Sequence, residues 1–259
     1  MSSPSPRPAT RRVLVIGIGA GDPNQITLQA IEAMRRADLF LIPGKGEEKA
    51  ELARAREALC ARLLEPGSFR TAPFAMPVRR AAGDAYGAAV ADWHDAMADI
   101  YERLLRDELG EGETGAFLVW GDPALYDSTL RILERLEKRG LVLDVEVIPG
   151  ITAVQALAAR HGVALNAIGQ AVVLSTGRRL REDGWPQGAD SLVIMLDGEL
   201  SFRSLEDDCL IWWGANLGLP SERLVAGPLR EVADRIASER EAARKETGWV
   251  MDTYLLRKR

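Results

Sequence analysis

The sequence predicts an α/β protein of two α/β domains, with a mostly parallel sheet in the N-terminal domain and a mixed sheet in the C-terminal one. Through residue 152, short apolar runs alternate with stretches of helical spacing, the rhythm of a parallel sheet covered on both faces. Beyond residue 152, strand-like runs outnumber helical ones, which suits a mixed sheet. Three turns in the first half follow apolar runs, at Gly21-Asp22-Pro23, Gly121-Asp122-Pro123 and Pro149-Gly150. Open α/β sheets bind ligands at such carboxyl ends of their strands.

Val13–Ile16 is the first predicted strand and runs into Gly17-Ile-Gly-Ala-Gly-Asp-Pro23. The helix after it is capped at Asn24 or Thr27 and aligns Leu28, Ile31 and Met34. Leu39–Ile42 is the second strand, closed by Pro43-Gly-Lys-Gly46, and Leu52, Leu59, Leu63 and Leu64 mark a helix over Glu47–Leu64. A short extended piece is expected over Phe74–Val78. Tyr86, Val90, Trp93, Met97, Ile100 and Leu104 step by four and three, predicting a helix from Asp84 to Glu108. The strand through Trp120 stops at Gly121-Asp122-Pro123, and Ser128 is the expected N-cap of a helix carrying Leu130, Ile132, Leu133 and Leu136. Leu143–Ile148 leads into Pro149-Gly150-Ile151-Thr152, followed by a helix over Thr152–His161 with His161 as its C-terminal cap.

In the second half, strands are expected at Ala171–Ser175, Ser191–Leu196, Asp208–Trp213, Arg223–Ala226 and Trp249–Leu256. One long helix runs from Pro228, placed at N1, to Lys245. Arg178–Gly188 reads as a mobile loop. The domains are therefore 1–152 and 153–259, with the Ser/Pro/Arg-rich residues 1–12 as a disordered leader.

Apolar residues make up 47% and charged residues 27% of the chain, as in an ordinary globular protein. A net charge of −5 argues against a surface that binds polyanions, so nucleic acid is not an expected partner. An anionic substrate would have to be held by local arginines. Cys60 in a helical pattern and Cys209 in a strand pattern suit buried thiols in a reducing compartment. No apolar run approaches the roughly eighteen residues of a membrane span, so a cytoplasmic protein without a membrane partner is expected. His94 and His161 lie far apart and far from the cysteines in sequence, so no zinc site is expected, and no Ser–His–Asp spacing is present.

Gly17-x-Gly-x-Gly-Asp22 is not a dinucleotide fingerprint. The third glycine would have to stand where Asp22 is, and a carboxylate there repels a pyrophosphate. The motif is either a structural turn or a cleft wall for another ligand. Carboxylates at two strand ends suit a ligand that carries positive charge. The small residues of Pro149-Gly150-Ile151-Thr152-Ala153 suit a ligand that approaches the backbone. Each loop alone has an ordinary structural explanation; their concurrence points to one site.

Taken together, Gly-x-Gly-x-Gly-Asp-Pro23, Trp120-Gly-Asp-Pro-x-x-Tyr126 and Val147-Ile-Pro-Gly-Ile-Thr-Ala153 resemble the tetrapyrrole methylases, the class III S-adenosylmethionine-dependent methyltransferases. The resemblance runs from Val13 to Leu229. It implies a homodimer of two-domain chains, with S-adenosyl-L-methionine folded into a cleft between the domains and S-adenosyl-L-homocysteine as the product. Within the family, the long insertion between the second and fourth strands, Gly121-Asp-Pro-Ala-Leu-Tyr-Asp-Ser128, Val193-Ile-Met-Leu-Asp-Gly198 and Ile211-Trp-Trp-Gly214 resemble the corrin C-methylases of aerobic cobalamin synthesis that release acetate. Precorrin-2 C20 methylases share part of the insertion. The implied reaction is methylation of precorrin-5 at C1 with loss of the neighbouring acetyl group. Ser175-Thr-Gly-Arg178 departs from the Thr-Gly-His of many relatives, which implies a different substrate contact at Arg178.

The family's cofactor positions fall on Ala20, where relatives often have proline, on Trp120, Gly121, Asp122 and Leu125, and on Thr152 and Ala153. Further along they fall on Leu196 or, with a one-residue slip, Met195, and on Gly214 and Gly227. For the acetate step, Asp22, Asp122 or a relay through Tyr126 are the candidates to activate water, with backbone amides at Gly121 or Gly150 as oxyanion donors. Arg178, Arg179, Arg181 and Lys45 are the candidates to hold the carboxylates of the macrocycle. Trp212-Trp213 has two readings, core packing or stacking on the ring. The competing functions are a same-fold methylase of protein or ribosomal RNA, which the acidic charge disfavours, and a non-catalytic tetrapyrrole-binding protein.

Overall fold

The computed structural model describes residues 10–44, 50–78, 86–206 and 208–259. It divides into two units: residues up to Gly19 together with Pro23–Ile151, and Ala20–Asp22 together with Thr152–Arg259.

The first unit runs β1 (Arg11–Gly17), α1 (Leu28–Arg35), β2 (Leu39–Pro43), α2 (Ala50–Leu63), β3 (Arg70–Phe74), α3 (Tyr86–Asp107), β4 (Thr114–Val119), α4 (Thr129–Lys138) and β5 (Leu143–Ile148). Its sheet has the order β3-β2-β4-β1-β5, and every pair is parallel. Alternation sorts the strand residues onto two faces. Val13, Val15, Leu39, Leu41, Phe117 and Val119 pack with Met97, Tyr101 and Leu105 of α3 and Leu133 and Leu136 of α4. Leu14, Ile16, Phe40, Ile42, Ala116 and Leu118 pack with Ala30 and Met34 of α1 and Leu59 and Cys60 of α2. Both faces are apolar because both are covered, which is why the strands read as unbroken apolar runs. Since β1 lies between β4 and β5, the chain leaves three adjacent strands at the same edge of the sheet.

The second unit runs α5 (Ala153–His161), β6 (Val172–Thr176), α6 (Gly177–Asp183), β7 (Ser191–Met195), β8 (Cys209–Ala215), β9 (Arg223–Pro228), α7 (Leu229–Thr247) and β10 (Asp252–Lys258). Its sheet has the order β6-β7-β10-β8-β9 and is mixed: β6 is parallel to β7, and the other pairs are antiparallel. Trp213, Tyr254, Ile194, Ile211 and Leu256 form its core with Phe202 and with Leu229 and Ile236 of α7.

Several sequence expectations are corrected. Arg11 and Arg12, placed in the leader, already belong to β1, pairing with Leu143 and with Thr114 and Asp144; residues 1–9 lie outside the described residues, as do the expected helix starts at 47–49 and 84–85. The third strand ends at Phe74 instead of beginning there, because β2 offers pairing only from Leu39↔Arg70 to Pro43↔Phe74. Pro73 is tolerated because β3 is an edge strand. Ser128 occupies the N-cap position without a side-chain cap bond; Asp127 Oδ1 instead accepts the Thr129 amide at 2.7 Å, while Ser128 Oγ shares a 2.9 Å hydrogen bond with His94 Nε2. Pro228 is the extended N-cap of α7, not its first helical residue. Gly162, in the left-handed conformation, caps α5, and His161 Nε2 donates to the Trp213 carbonyl at 3.0 Å. The stretch expected as a loop from Arg178 begins as helix α6, with Thr176 as its N-cap.

Candidate functional site

In the first unit, the turns after β1, β4 and β5 meet backbone against backbone. Gly121 N donates to Gly19 O at 2.8 Å, and Gly19 N returns a 3.3 Å bond to Gly121 O. A methyl group on Gly17 would stand 2.6 Å from Gly150 N, and one on Gly150 would stand 2.1 Å from Gly121 O. These two glycines are therefore required by the contact of one loop with another. Asp122 completes the junction: its Oδ1 accepts the Ala124 amide at 2.7 Å, and its Oδ2 accepts the Gly150 amide at 2.8 Å.

The segment beyond Asp122 presents apolar surface. Trp120 and Leu125 are half-buried. Tyr126 is 42% exposed and has a φ of 53°, which costs a non-glycine residue about 1–2 kcal/mol. Burial raises its phenol above the ordinary value, and a phenol is protonated at neutral pH even without that shift. Gln25, in the short turn before α1, has a buried Oε1 with no hydrogen-bond partner among the described residues, and a methyl on Gly19 would meet its carbonyl at 3.4 Å. A buried amide oxygen of this kind suits a ligand that donates a hydrogen bond and does not suit a phosphate.

Arg56 was not anticipated. It is 8% exposed, its Nε donates to Leu118 O at 2.9 Å, its Nη1 donates to Leu52 O at 3.1 Å, and its guanidinium lies 5.7 Å from the Trp120 ring. Burial pushes the guanidinium down to about 10, still charged at neutral pH. The available signal was its place in the apolar stripe Leu52-Arg56-Leu59-Leu63 of α2. Lys45 lies outside the described residues.

In the second unit, Ala20 is buried, and Gly21 and Asp22 lie against Leu217 and Gly218, where a methyl on Gly218 would meet Asp22 N at 2.4 Å. Thr152 is committed to a capping box: its Oγ1 accepts the Val154 amide at 3.2 Å, and Gln155 Oε1 accepts the Thr152 amide at 3.1 Å. Ala153 opens α5 half-buried. The space above Gly214 is filled by Leu217 and Leu157, so core packing accounts for that glycine. Gly227 has a φ of 153°, and a methyl there would meet Val232 at 2.8 Å. Met195 pairs with Thr253 and Thr176 inside the sheet. Leu196 leaves the sheet with a φ of 54° and is 66% exposed.

The three arginines of α6 differ in their partners. Arg178 pairs with Glu182 at 3.2 Å and Arg179 with Asp183 at 3.0 Å along the helix surface; such exposed pairs are worth about 0.3–0.5 kcal/mol and release readily. Arg181 turns inward, donating to Ser201 Oγ at 2.7 Å, with Asp197 Oδ1 at 3.7 Å. Trp213 is fully buried and donates to Asp252 Oδ2 at 3.1 Å, so it belongs to the core. Trp212 lies 5.2 Å from the Arg257 guanidinium.

A model of the family Tetrapyrrole (Corrin/Porphyrin) Methylases matches residues 12–233. The chain is 52% identical over 250 residues to a Sinorhizobium protein named precorrin-6A synthase [deacetylating], covering 96% of this chain and 95% of that protein. A crystal structure of a cobalamin synthesis related protein (CobF) from Corynebacterium diphtheriae superposes with a TM-score of 0.79 at 38% identity, covering 96% of this chain and 99% of that one. The fold is also that of uroporphyrin-III C-methyl transferase from Thermus thermophilus in complex with S-adenyl homocysteine, with a TM-score of 0.54, 19% identity and coverage of 95% and 96%. The chain belongs to the tetrapyrrole (corrin/porphyrin) methylases.

Proposed function

We propose that the chain is an S-adenosylmethionine-dependent C-methyltransferase of cobalamin biosynthesis that methylates precorrin-5 at C1 and releases acetate, giving precorrin-6A. The observation that carries this proposal is the near-full-length identity to the Sinorhizobium precorrin-6A synthase. The triple junction of Gly17, Gly121 and Gly150 supports it, because it holds together the three loops that carry the family motifs. S-adenosylmethionine, when bound, supplies an electrophilic methyl group.

The chain's own residues hold the donor and the acceptor and keep water away. We assign donor binding to Gln25 and to the Trp120-Gly121-Asp122 and Leu125 segment in the first unit, and to Ala20, Thr152, Ala153, Leu196 and Gly227 in the second. Leu196 is preferred to Met195 because it projects out of the sheet. Charge spreads out as the sulfonium methyl moves to carbon, so an apolar lining at Trp120, Leu125 and Leu196 favours the step. Most of the acceleration comes from positioning.

Loss of acetate requires water to add to the acetyl carbonyl and the carbon–carbon bond to the ring to break, with the water's protons released; the electron pair left on the ring carbon then takes the methyl group from the sulfonium, so methyl replaces acetyl. Both oxygens of Asp122 accept backbone amides, so we assign it the role of a loop tie; water activation is assigned to Asp22, which stands at the corresponding place in the turn after β1. Tyr126, a protonated phenol at neutral pH, serves as a hydrogen-bond donor to the developing oxyanion. Arg178 and Arg179, held by weak exposed pairs, are assigned to the carboxylates of the macrocycle. A cytoplasmic homodimer is the expected working form; Cys60 and Cys209, both buried and neither in a disulfide, suit a reducing compartment.

The test is to incubate purified protein with precorrin-5 and a methyl donor labelled at the methyl carbon. The expected product carries the label at C1 and appears with one equivalent of acetate. A label at C20 or C11, or methylation without acetate, overturns the assignment.

A further inference from the structure

Leu196 raises a question that core packing does not answer. A glycine at that position would adopt a φ of 54° without strain, yet the residue is leucine. The side chain is not part of the second unit's core and is 66% exposed. A strained residue persists only where its surroundings over-determine it, and those surroundings centre on the next residue, Asp197.

Asp197 is 3% exposed. Its Oδ2 accepts the Tyr254 phenol at 2.7 Å and the Ser201 amide at 2.6 Å. Its Oδ1 accepts Ser201 Oγ at 2.7 Å and the Glu199 amide at 3.1 Å. Its main-chain carbonyl accepts Arg240 Nη2 at 3.1 Å, and Arg181 stands 3.7 Å from Oδ1. Gly177 closes the arrangement, since a methyl there would stand 2.3 Å from Oδ1. Groups from α6, α7, β10 and the turn at 201–204 therefore converge on the residue that fixes the backbone of Leu196. Tyr254 sits inside the sheet with its ring edge-on to Phe202 of the same turn, so removing its hydroxyl breaks the bond to Asp197 and leaves that ring contact in place.

We propose that Asp197 and Tyr254 are positioning residues that hold Leu196 against the adenosyl part of the methyl donor. The proposal rests on the assignment of Leu196 as a donor contact. On this view the buried carboxylate and the strained backbone have one purpose: they keep an aliphatic side chain in place at the end of β7, where a glycine would leave a gap.

The test uses the full chain, with S-adenosylhomocysteine as the calorimetric probe. Leu196→Gly removes the side chain and relieves the strain; its dissociation constant rises about tenfold while its unfolding midpoint does not fall. Tyr254→Phe keeps the ring packed and removes one bond to Asp197; its dissociation constant and donor KM rise about fivefold, more than kcat falls. A variant that was only less stable would lose active fraction and leave the affinity of the folded molecules unchanged. Unchanged affinity in Leu196→Gly overturns the contact and the proposal with it. Weakened binding in Leu196→Gly with wild-type binding in Tyr254→Phe keeps the contact and overturns the positioning role. Failure of the wild type to take up the probe instead overturns the proposed function.

Discussion

Asp122 Oδ2 accepts the amide of Gly150 at 2.8 Å, so one side chain ties the turn after β4 to the turn after β5 across 28 residues of sequence. An asparagine can accept only with its one amide oxygen, while its NH2 would face the second backbone N–H donor. Asp122→Asn should therefore lose about 1–3 kcal/mol of stability, measured by urea denaturation, and should bind the methyl donor more weakly. A water-activating Asp122 predicts the reverse: donor affinity is kept and acetate release is lost. The two readouts separate the tie from the base.

The crowding at the junction makes a sharper prediction. Gly150→Ala would place a methyl 2.1 Å from Gly121 O, and Gly17→Ala would place one 2.6 Å from Gly150 N, in both cases against backbone that has no rotamer to yield. Each should abolish donor binding and lower the unfolding midpoint by more than ten degrees or so, a shift of a few kcal/mol in a chain of this size. Gly87→Ala is the control: it lies in the first turn of α3 with nothing among the described residues within 4 Å of the added carbon. It should stabilise the protein by about 0.5–1 kcal/mol.

Gly177→Ala extends the same logic to the second unit. Its methyl would stand 2.3 Å from Asp197 Oδ1, so Asp197 must move and part of its hydrogen bonding to Ser201 and Tyr254 must be lost. The expected outcome is weaker binding of S-adenosylhomocysteine by about tenfold, with far-ultraviolet circular dichroism unchanged. Retained affinity would show that the carboxylate can shift without disturbing Leu196.

What the sequence reveals follows the range of the forces involved. The strands and helices of the first unit were legible because alternation and helical spacing are local patterns, and β1, β4 and β5 carry them without interruption. The three loops were legible because Gly-Asp-Pro and Pro-Gly stop a strand wherever they stand. The role of Asp122 was not legible, since its partner Gly150 is set by the order β4-β1-β5, which sequence pattern does not encode. Arg178–Arg181 read as a loop because three arginines hide a one-sided apolar contact, made by Leu180, which is 2% exposed. Asp197 stood within a recognised motif, but its importance comes from Tyr254, 57 residues away.

Cys60 gives a pH prediction. Burial in the first unit's core raises its thiol from 9.0 to about 12. Between those values the unfolded chain has lost the proton and the folded chain has kept it, so the unfolded state binds fewer protons and stability falls as pH rises. The loss is absent below pH 9 and grows toward pH 12, reaching up to about 4 kcal/mol. Cys60→Ala should flatten this part of the stability–pH curve relative to wild type, as measured by urea midpoints from pH 8 to 11. The native thiol should also resist thiol reagents at pH 8 until the protein unfolds.

Arg56 shows how a buried charge can complete a sheet. The pairing of β2 with β4 stops at Leu41↔Phe117. Ile18 N bonds Val119 O on the β1 side, so the Leu118 carbonyl, one residue earlier, faces the side where β2 has ended. Arg56 Nε takes that carbonyl at 2.9 Å, one residue pair beyond the last strand contact and two residues before Trp120. Arg56→Met would keep the aliphatic stem and relieve the desolvated charge, but it would leave Leu118 O buried without a donor. The second effect should win, because an unpaired buried carbonyl costs about 1–3 kcal/mol and the substitution also removes the bond to Leu52 O. Arg56→Lys, with one flexible ammonium in place of a planar fork, should fall between wild type and Arg56→Met in stability. Tryptophan fluorescence of the folded state should shift in both variants as the cation above Trp120 moves. A more stable Arg56→Met would show that desolvation of the guanidinium outweighs the carbonyl it serves.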